Sequence, residues 1–256
     1  MMVPAASDLL LPIAMAVAAG LVGSFAVMRR MTLASDALSH MALPGVGLAI
    51  LLHVSPMLGG FTALFLGTLL VWALERRSRI PTEAIIGVVF SAALALGSML
   101  ASGEELIDAL FGAPQRLGGT ETILGVAGAA VVIAFVWRAQ SRLVITLVST
   151  DLARTAGIDV PRLNLQFLIA FAVTVALGLR YLGVLLMGSL IIIPAATAKQ
   201  LARTLGQMRC FSVGIAVAAT LLGTFAAPAL GVETGPLIIA TAAGIFFLGV
   251  LSRRSA

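Results

Sequence analysis

Residues 28–50 read MRRMTLASDALSHMALPGVGLAI. Two arginines close one apolar stretch. Asp36 and His40 follow, four residues apart, and a second apolar stretch opens on Leu-Pro-Gly. An acid and one of only two histidines thus stand in a setting that is otherwise apolar on both sides. That setting extends over the whole chain. Of 256 residues, 60% are hydrophobic and only 11% are charged, with a mean hydropathy of +1.11. Soluble domains carry about a quarter charged residues. A water-soluble fold of this size could not hide so much apolar side chain, so the chain reads as an all-α polytopic membrane protein.

A spanning helix needs about 20 mostly apolar residues. Apolar runs lie near 9–28, 32–52, 57–74, 83–101, 121–137, 163–179, 182–198, 211–228 and 236–252, which predicts eight to ten transmembrane helices. Pro194 could break the run at 182–198 into shorter pieces, and Leu-Pro-Gly at 43–45 should loosen the helix just beyond the Asp36–His40 pair. The 26 glycines suit close helix approach in lipid. With nine spans and an outside N-terminus, the outer side receives only Arg116 and Arg180 of the 16 Lys and Arg. The other 14 fall on the cytoplasmic side, as the positive-inside rule requires. The net charge of +5 is therefore a topology signal, and no aromatic-plus-basic surface suggests nucleic acid. The opening MMVPAASDLLLP has no basic n-region, so no cleaved signal peptide is expected.

Several chemistries are missing from the sequence. There is no GxxxxGK[ST] phosphate loop, no HExxH and no GxSxG, so neither ATP hydrolysis nor the corresponding hydrolase chemistry is expected of this chain. One cysteine, Cys210, permits no internal disulfide or cysteine metal cluster and reads as a small apolar filler. No permanently bound cofactor is expected. No internal repeat is evident, and residues 1–256 form a single transmembrane domain.

Two connections stand out. The inner one, 138–163, turns from polar to apolar and then carries Asp151, Arg154, Gly157 and Asp159. Asp151–Ala156 can form a short helix that Gly157 ends. It suits docking of a soluble partner, or is an ordinary interfacial loop. The outer one, 102–120, with Glu104, Glu105 and Asp108, reads as a solvated cap.

On a helix, Asp36 and His40 share a face with Cβ atoms about 5–6 Å apart. A carboxylate and an imidazole so placed can chelate zinc, manganese or ferrous iron. A carboxylate held in a membrane costs at least about 2.5–3.5 kcal/mol, which makes it a candidate functional group. The alternative is an Asp36–arginine pair near the inner interface and a His40 bonded to a carbonyl. Glu83 begins another in-to-out span, at a depth similar to Asp36, and could add a third metal ligand. It could equally be a first-turn acid favoured by the helix dipole, with Pro81 just before it. His53, where the same run as Asp36 emerges outside, reads as an exposed loop histidine.

These segments resemble a known family. Residues 28–50 look like the signature opening of zinc/manganese-type ABC importer permeases. TEAIIGVVFSAALALG (82–97) is similar to that family's acid-x-x-Ile-Gly segment, and LGVLLMGSLIIIPAATA (182–198) to its Pro-Ala-Ala-Thr-Ala helix. LARTAGI (152–158) resembles the cytoplasmic element that engages the ATPase. The family's usual acid eight residues before Gly157 is replaced by Ser149, with Asp151 the nearest acid. The resemblance implies the all-helical ABC importer permease fold. It also implies a multi-pass subunit of the bacterial inner (plasma) membrane, working as a homodimer with a cytoplasmic ATP-binding cassette subunit and an extracytoplasmic metal-binding protein. It implies metal contact by Asp36 and His40, and ATPase coupling by a 143–163 element through Asp151, Leu152, Ala153, Arg154 and Gly157. The cargo would be zinc or manganese, with iron a third candidate. Two other readings compete: a proton-coupled secondary metal transporter with Asp36 and Glu83 relaying protons, and a metal-chelate or vitamin permease. The first would not need segment 149–158, and the second would want a wide neutral path.

Overall fold

The computed structural model describes residues 6–78, 80, 81, 82–100, 118–179, 182 and 184–254, with the backbone alone described at 6–8, 33–36, 184–185 and 252–254. Most of the outer connection, 101–117, lies outside the described residues, as do the side chains of Asp36 and Arg180. Among the described residues there are eleven helices and no strand. They are α1 (Ala6–Met28), α2 (Thr32–His40), α3 (Leu43–Leu51), α4 (Pro56–Arg77), α5 (Thr82–Leu100), α6 (Gly119–Val148), α7 (Thr150–Thr155), α8 (Val160–Leu179), α9 (Val184–Leu201), α10 (Leu205–Leu230) and α11 (Thr234–Arg254).

Every apolar run in the sequence has its helix. Seven helices are long and apolar enough to cross a membrane. The remaining two runs are the short α2–α3 pair and α9. The break expected near Pro194 does not occur. Pro194 lies inside a continuous α9, where it is buried and costs one ladder hydrogen bond. A break does fall in the run 32–52, at Met41 and Ala42, beside the Leu-Pro-Gly expected to loosen the helix there, because Pro44 can begin α3 but cannot continue α2.

The turn after α1 follows from the arginine pair. Arg30 adopts φ +62, the Met31 N–H donates to the Ala26 carbonyl at 2.9 Å and the Arg30 N–H to Val27 at 3.3 Å. That is a Schellman ending with arginine in the left-handed position glycine usually takes, a strain of about 1 kcal/mol.

α1 and α8 are the most buried long helices and form the centre. Phe25, Phe167 and Phe171 are the largest side chains wholly enclosed there. α1 packs on α6, α9 and α10, and α8 on α4 and α6. α4, α5, α6 and α11 turn large apolar side chains outward, among them Leu66, Val88, Leu124, Val131 and Phe247. Contiguous apolar surface of this kind belongs in lipid.

Independent contacts support the alternation of the spans. Alternation puts the ends of α1, α4 and α6 on the same side as the starts of α5, α8 and α10. Hydrogen bonds join these ends: Arg29 to Asn164, Trp72 to Pro161, Glu75 to Thr82 and Arg209 to Gln140. This is the arginine-rich side, which the positive-inside rule assigns to the cytoplasm.

α3 and α4 form an antiparallel hairpin whose backbones touch at two glycines. A Cβ at Gly45 would stand 2.0 Å from the Gly59 carbonyl oxygen, and one at Gly59 would stand 2.1 Å from that of Gly45. Gly45→Val therefore has backbone, not a yielding side chain, in its way. It should destabilise the detergent-solubilised protein by about 3 kcal/mol, the upper end for overpacking. A thermal midpoint equal to that of the wild type would contradict this account of the hairpin.

Candidate functional site

α2 carries the polar motif. Its core-facing residues Ala37, Leu38 and Ser39 are buried, and it packs between α9, α5 and α8. Asp36 and His40 occupy successive turns of one helical stripe. His40, the last residue of α2, is half-buried, and its ring lies against Phe90 of α5 at 5.5 Å and 55°. The structure thus places His40 at the level of mid-α5.

Glu83 sits in the first turn of α5 and is exposed. It precedes Phe90 by seven residues, about 10.5 Å along the axis. His40 and Glu83 therefore stand on neighbouring helices at different levels. Among the described residues no group of three or more His, Cys, Asp and Glu could hold a metal ion. His53 is exposed at the outer turn between α3 and α4, with φ +54, in keeping with a loop position. An apolar cavity of about 350 Å³ between α1, α4, α6 and α8 is lined by Phe61, Phe65 and Val173, with Glu121 the one acid on its wall. It contains no imidazole and lies apart from α2.

The short helix expected at Asp151–Ala156 is α7, shifted by one residue. Its ends are both built. Ser149 is the N-cap, its hydroxyl accepting from the Leu152 N–H at 3.3 Å. Gly157, at φ +74, ends it in a Schellman motif, with Ile158 N–H to the Ala153 carbonyl at 2.9 Å and Gly157 N–H to Arg154 at 3.0 Å. Ala153 is fully buried and anchors the helix, whereas Asp151, Leu152, Arg154 and Gly157 are exposed. The Asp151–Arg154 pair at 3.5 Å is open to solvent and contributes little. Leu152 is 54% exposed, an apolar side chain offered to the aqueous side.

Sequence reasoning missed a second polar cluster, at the arginine-rich end. Asn164 accepts from the Arg29 guanidinium at 2.6 Å and donates to both Glu75 oxygens at 2.7 and 2.6 Å. The Thr82 hydroxyl donates to Glu75 at 2.7 Å. The Arg29 guanidinium also lies over the Phe167 ring at 4.6 Å. Burial lowers the Arg29 pKa to about 10, a shift that the Glu75 charge opposes, and the group stays protonated at neutral pH. The only signal in the sequence was an acid, Glu75, ahead of Arg76 and Arg77, and a lone Asn164 in an apolar stretch.

Comparison with known proteins follows the same lines. The model of the ABC 3 transport family matches residues 2–253. This chain belongs to the ABC 3 transport family. The resemblance read from residues 28–50, 82–97 and 182–198 is thereby borne out. Within the curated relatives, the high-affinity zinc uptake system membrane protein ZnuB of Haemophilus influenzae is 30% identical over 238 residues, 91% of each chain. The manganese import system permease protein ScaB of Streptococcus parasanguinis is 29% identical over 244 residues, 94% of this chain and 87% of that protein. The solved structure of PsaBC from Streptococcus pneumoniae in complex with Fab is similar with a TM-score of 0.80 at 28% identity, covering 95% of this chain and 89% of that one. The fold of this family member is accordingly that of an ABC transporter permease, and the protein is a multi-pass membrane protein.

In this family member Ser149 stands where the resemblance expects an acid, and it performs the acceptor role an acid would. Ser149→Ala should loosen α7 locally by about 1 kcal/mol. Hydrogen exchange should then show the Leu152 amide exchanging about fivefold faster, while Ser149→Asp keeps it near wild type. Unchanged protection in the alanine variant would show that the cap does not hold the helix.

Proposed function

We propose that the chain is the membrane-spanning permease of an ATP-binding cassette importer that carries a divalent metal ion into the cytoplasm. Zinc and manganese are the favoured cargoes, with iron a third candidate. The observation that carries this reading is the Asp36–His40 pair at one-turn spacing on α2, directly before the helix break at Met41, in a chain whose relatives include zinc and manganese permeases. Carboxylate plus imidazole is a donor set for such ions.

The whole chain acts as one transmembrane domain, with 143–163 as the element that meets a separate cytoplasmic ATPase. Asp151, Leu152, Arg154 and Gly157 form the face toward that partner, and Ala153 seats the helix from behind. A metal-loaded binding protein delivers the ion outside, a second copy completes the path, and the assembly resides in a bacterial inner membrane. ATP hydrolysis belongs to the partner. The ion is passed between outward- and inward-open states by Asp36 and His40. Glu83, lower on α5 than the level of His40 and exposed, is the candidate third ligand, on the inner side of the pair. The exposed, doubly capped α7 favours this reading over a self-contained proton-coupled carrier.

His40→Ala should abolish metal uptake by the intact complex while leaving assembly and ATPase binding intact. Uptake at the wild-type rate in that variant would refute the direct-ligand role. Comparing zinc, manganese and ferrous iron in the same vesicles identifies the cargo.

A further inference from the structure

The inner end of α8 is fastened twice to the last turns of α4. The Trp72 indole N–H donates to the Pro161 carbonyl at 3.1 Å, and the Asn164 amide donates to Glu75 as described. Asn164 is the centre of the larger cluster. Its Oδ1 meets a cation donor, and its Nδ2 meets a carboxylate. A carboxamide is the neutral side chain that offers an acceptor and donors in one plane, and rotating it by half a turn would oppose like with like on both sides. The cluster is half-buried, where breaking one member leaves charged groups poorly satisfied. The four helix ends it joins are thus held as a unit.

The positions of those ends along the chain give the cluster its meaning. Arg29 lies three residues before α2, which bears Asp36 and His40. Thr82 is the neighbour of Glu83. Asn164 follows the end of α7 at Gly157 by seven residues, through a short link in which the Asp159 carboxylate caps α8 by accepting from the Arg162 N–H at 3.1 Å. One hydrogen-bonded chain therefore joins the α7–α8 corner to both segments that carry candidate metal ligands. We propose that the Arg29–Asn164–Glu75–Thr82 cluster transmits displacement of α7 to α2 and α5, with Asn164 as the positioning residue that couples the partner's ATP cycle to opening of the ion path. This inference rests on the permease reading above.

The test uses the complete complex of permease, ATPase and binding protein in lipid vesicles, with zinc, manganese and ferrous iron as the ions supplied. Asn164→Leu keeps the volume and removes both hydrogen-bonding functions. The expected result is a normally assembled complex that hydrolyses ATP within about twofold of the wild type, while ions taken up per ATP fall about tenfold. Thr82→Val, a smaller change at the rim, should lower the same ratio less and serves where the leucine variant does not assemble. A wild-type ratio in an assembled Asn164→Leu complex overturns the transmission role. So does an unchanged ratio in Thr82→Val where Asn164→Leu fails to assemble, or a parallel loss of hydrolysis and uptake in both variants. Wild-type vesicles that take up none of the three ions overturn the permease reading and this inference with it.

Discussion

No backbone amide or carbonyl can be left unbonded in hydrocarbon, and irregular backbone survives there only when protein covers it. The break between α2 and α3 meets both conditions. The Met41 N–H bonds to Ala37 and Leu38 at 3.2 Å, Ala42 N–H to Ser39 at 3.2 Å, and Val46 N–H to the Ala42 carbonyl at 3.0 Å. Met41 and Ala42 are buried. A broken helix of this kind must be enclosed, and α2 lies among α5, α8 and α9 rather than on the lipid face. The same need explains why α8 is central while α4, α6 and α11 face outward.

Close enclosure asks for small residues, and α1 supplies them. A Cβ at Gly23 would fall 2.0 Å from the Ile191 carbonyl oxygen of α9, and the Ser212 hydroxyl of α10 donates to the Gly20 carbonyl at 2.7 Å. Without a hydrophobic force between helices in lipid, contacts of this closeness and such interhelical hydrogen bonds provide the cohesion. The break in α2, the close approach of α1 and the lipid-facing outer helices are thus consequences of one solvent.

The helices and their alternation were legible in the sequence because both signals are local. Length and hydropathy mark a span, and arginine marks its inner end. Two features depended on more. Pro44 and Pro194 both lie in apolar runs, yet only the first coincides with a break. Ten residues of α9 precede Pro194 and nine of α2 precede the break, so helix length does not separate them; Pro194 is buried among packed neighbours, whereas Pro44 is half-buried. The cluster at Asn164 was illegible because its members are 89 and 135 residues apart, and pairing at that range is set by packing. In the candidate site, the Asp36–His40 spacing was readable at once. The separation of Glu83 from His40 was not, because depth within a span says nothing about the tilt and offset of two helices. Ser149 looked like a departure from the family pattern, yet at an N-cap a hydroxyl and a carboxylate accept the same amide hydrogen.

On the proposed reading, the break also answers how an ion could be held without a full shell of side chains. The C-terminal end of α2 carries partial negative charge, which favours a cation beside it. His40, Asp36 one turn earlier on the same helical stripe, and the negative end of a short helix are then neighbours along α2. Such a set offsets part of an ion's dehydration without matching the affinity of a closed tetrahedral site, whose four protein ligands leave no exit. A structural zinc site would defeat transport, since conduction needs binding that is favourable enough to enter and weak enough to leave. On the proposed reading, a sparse donor set on α2 is what a path requires, and the Phe90 ring of α5 that lies against His40 bounds it on one side.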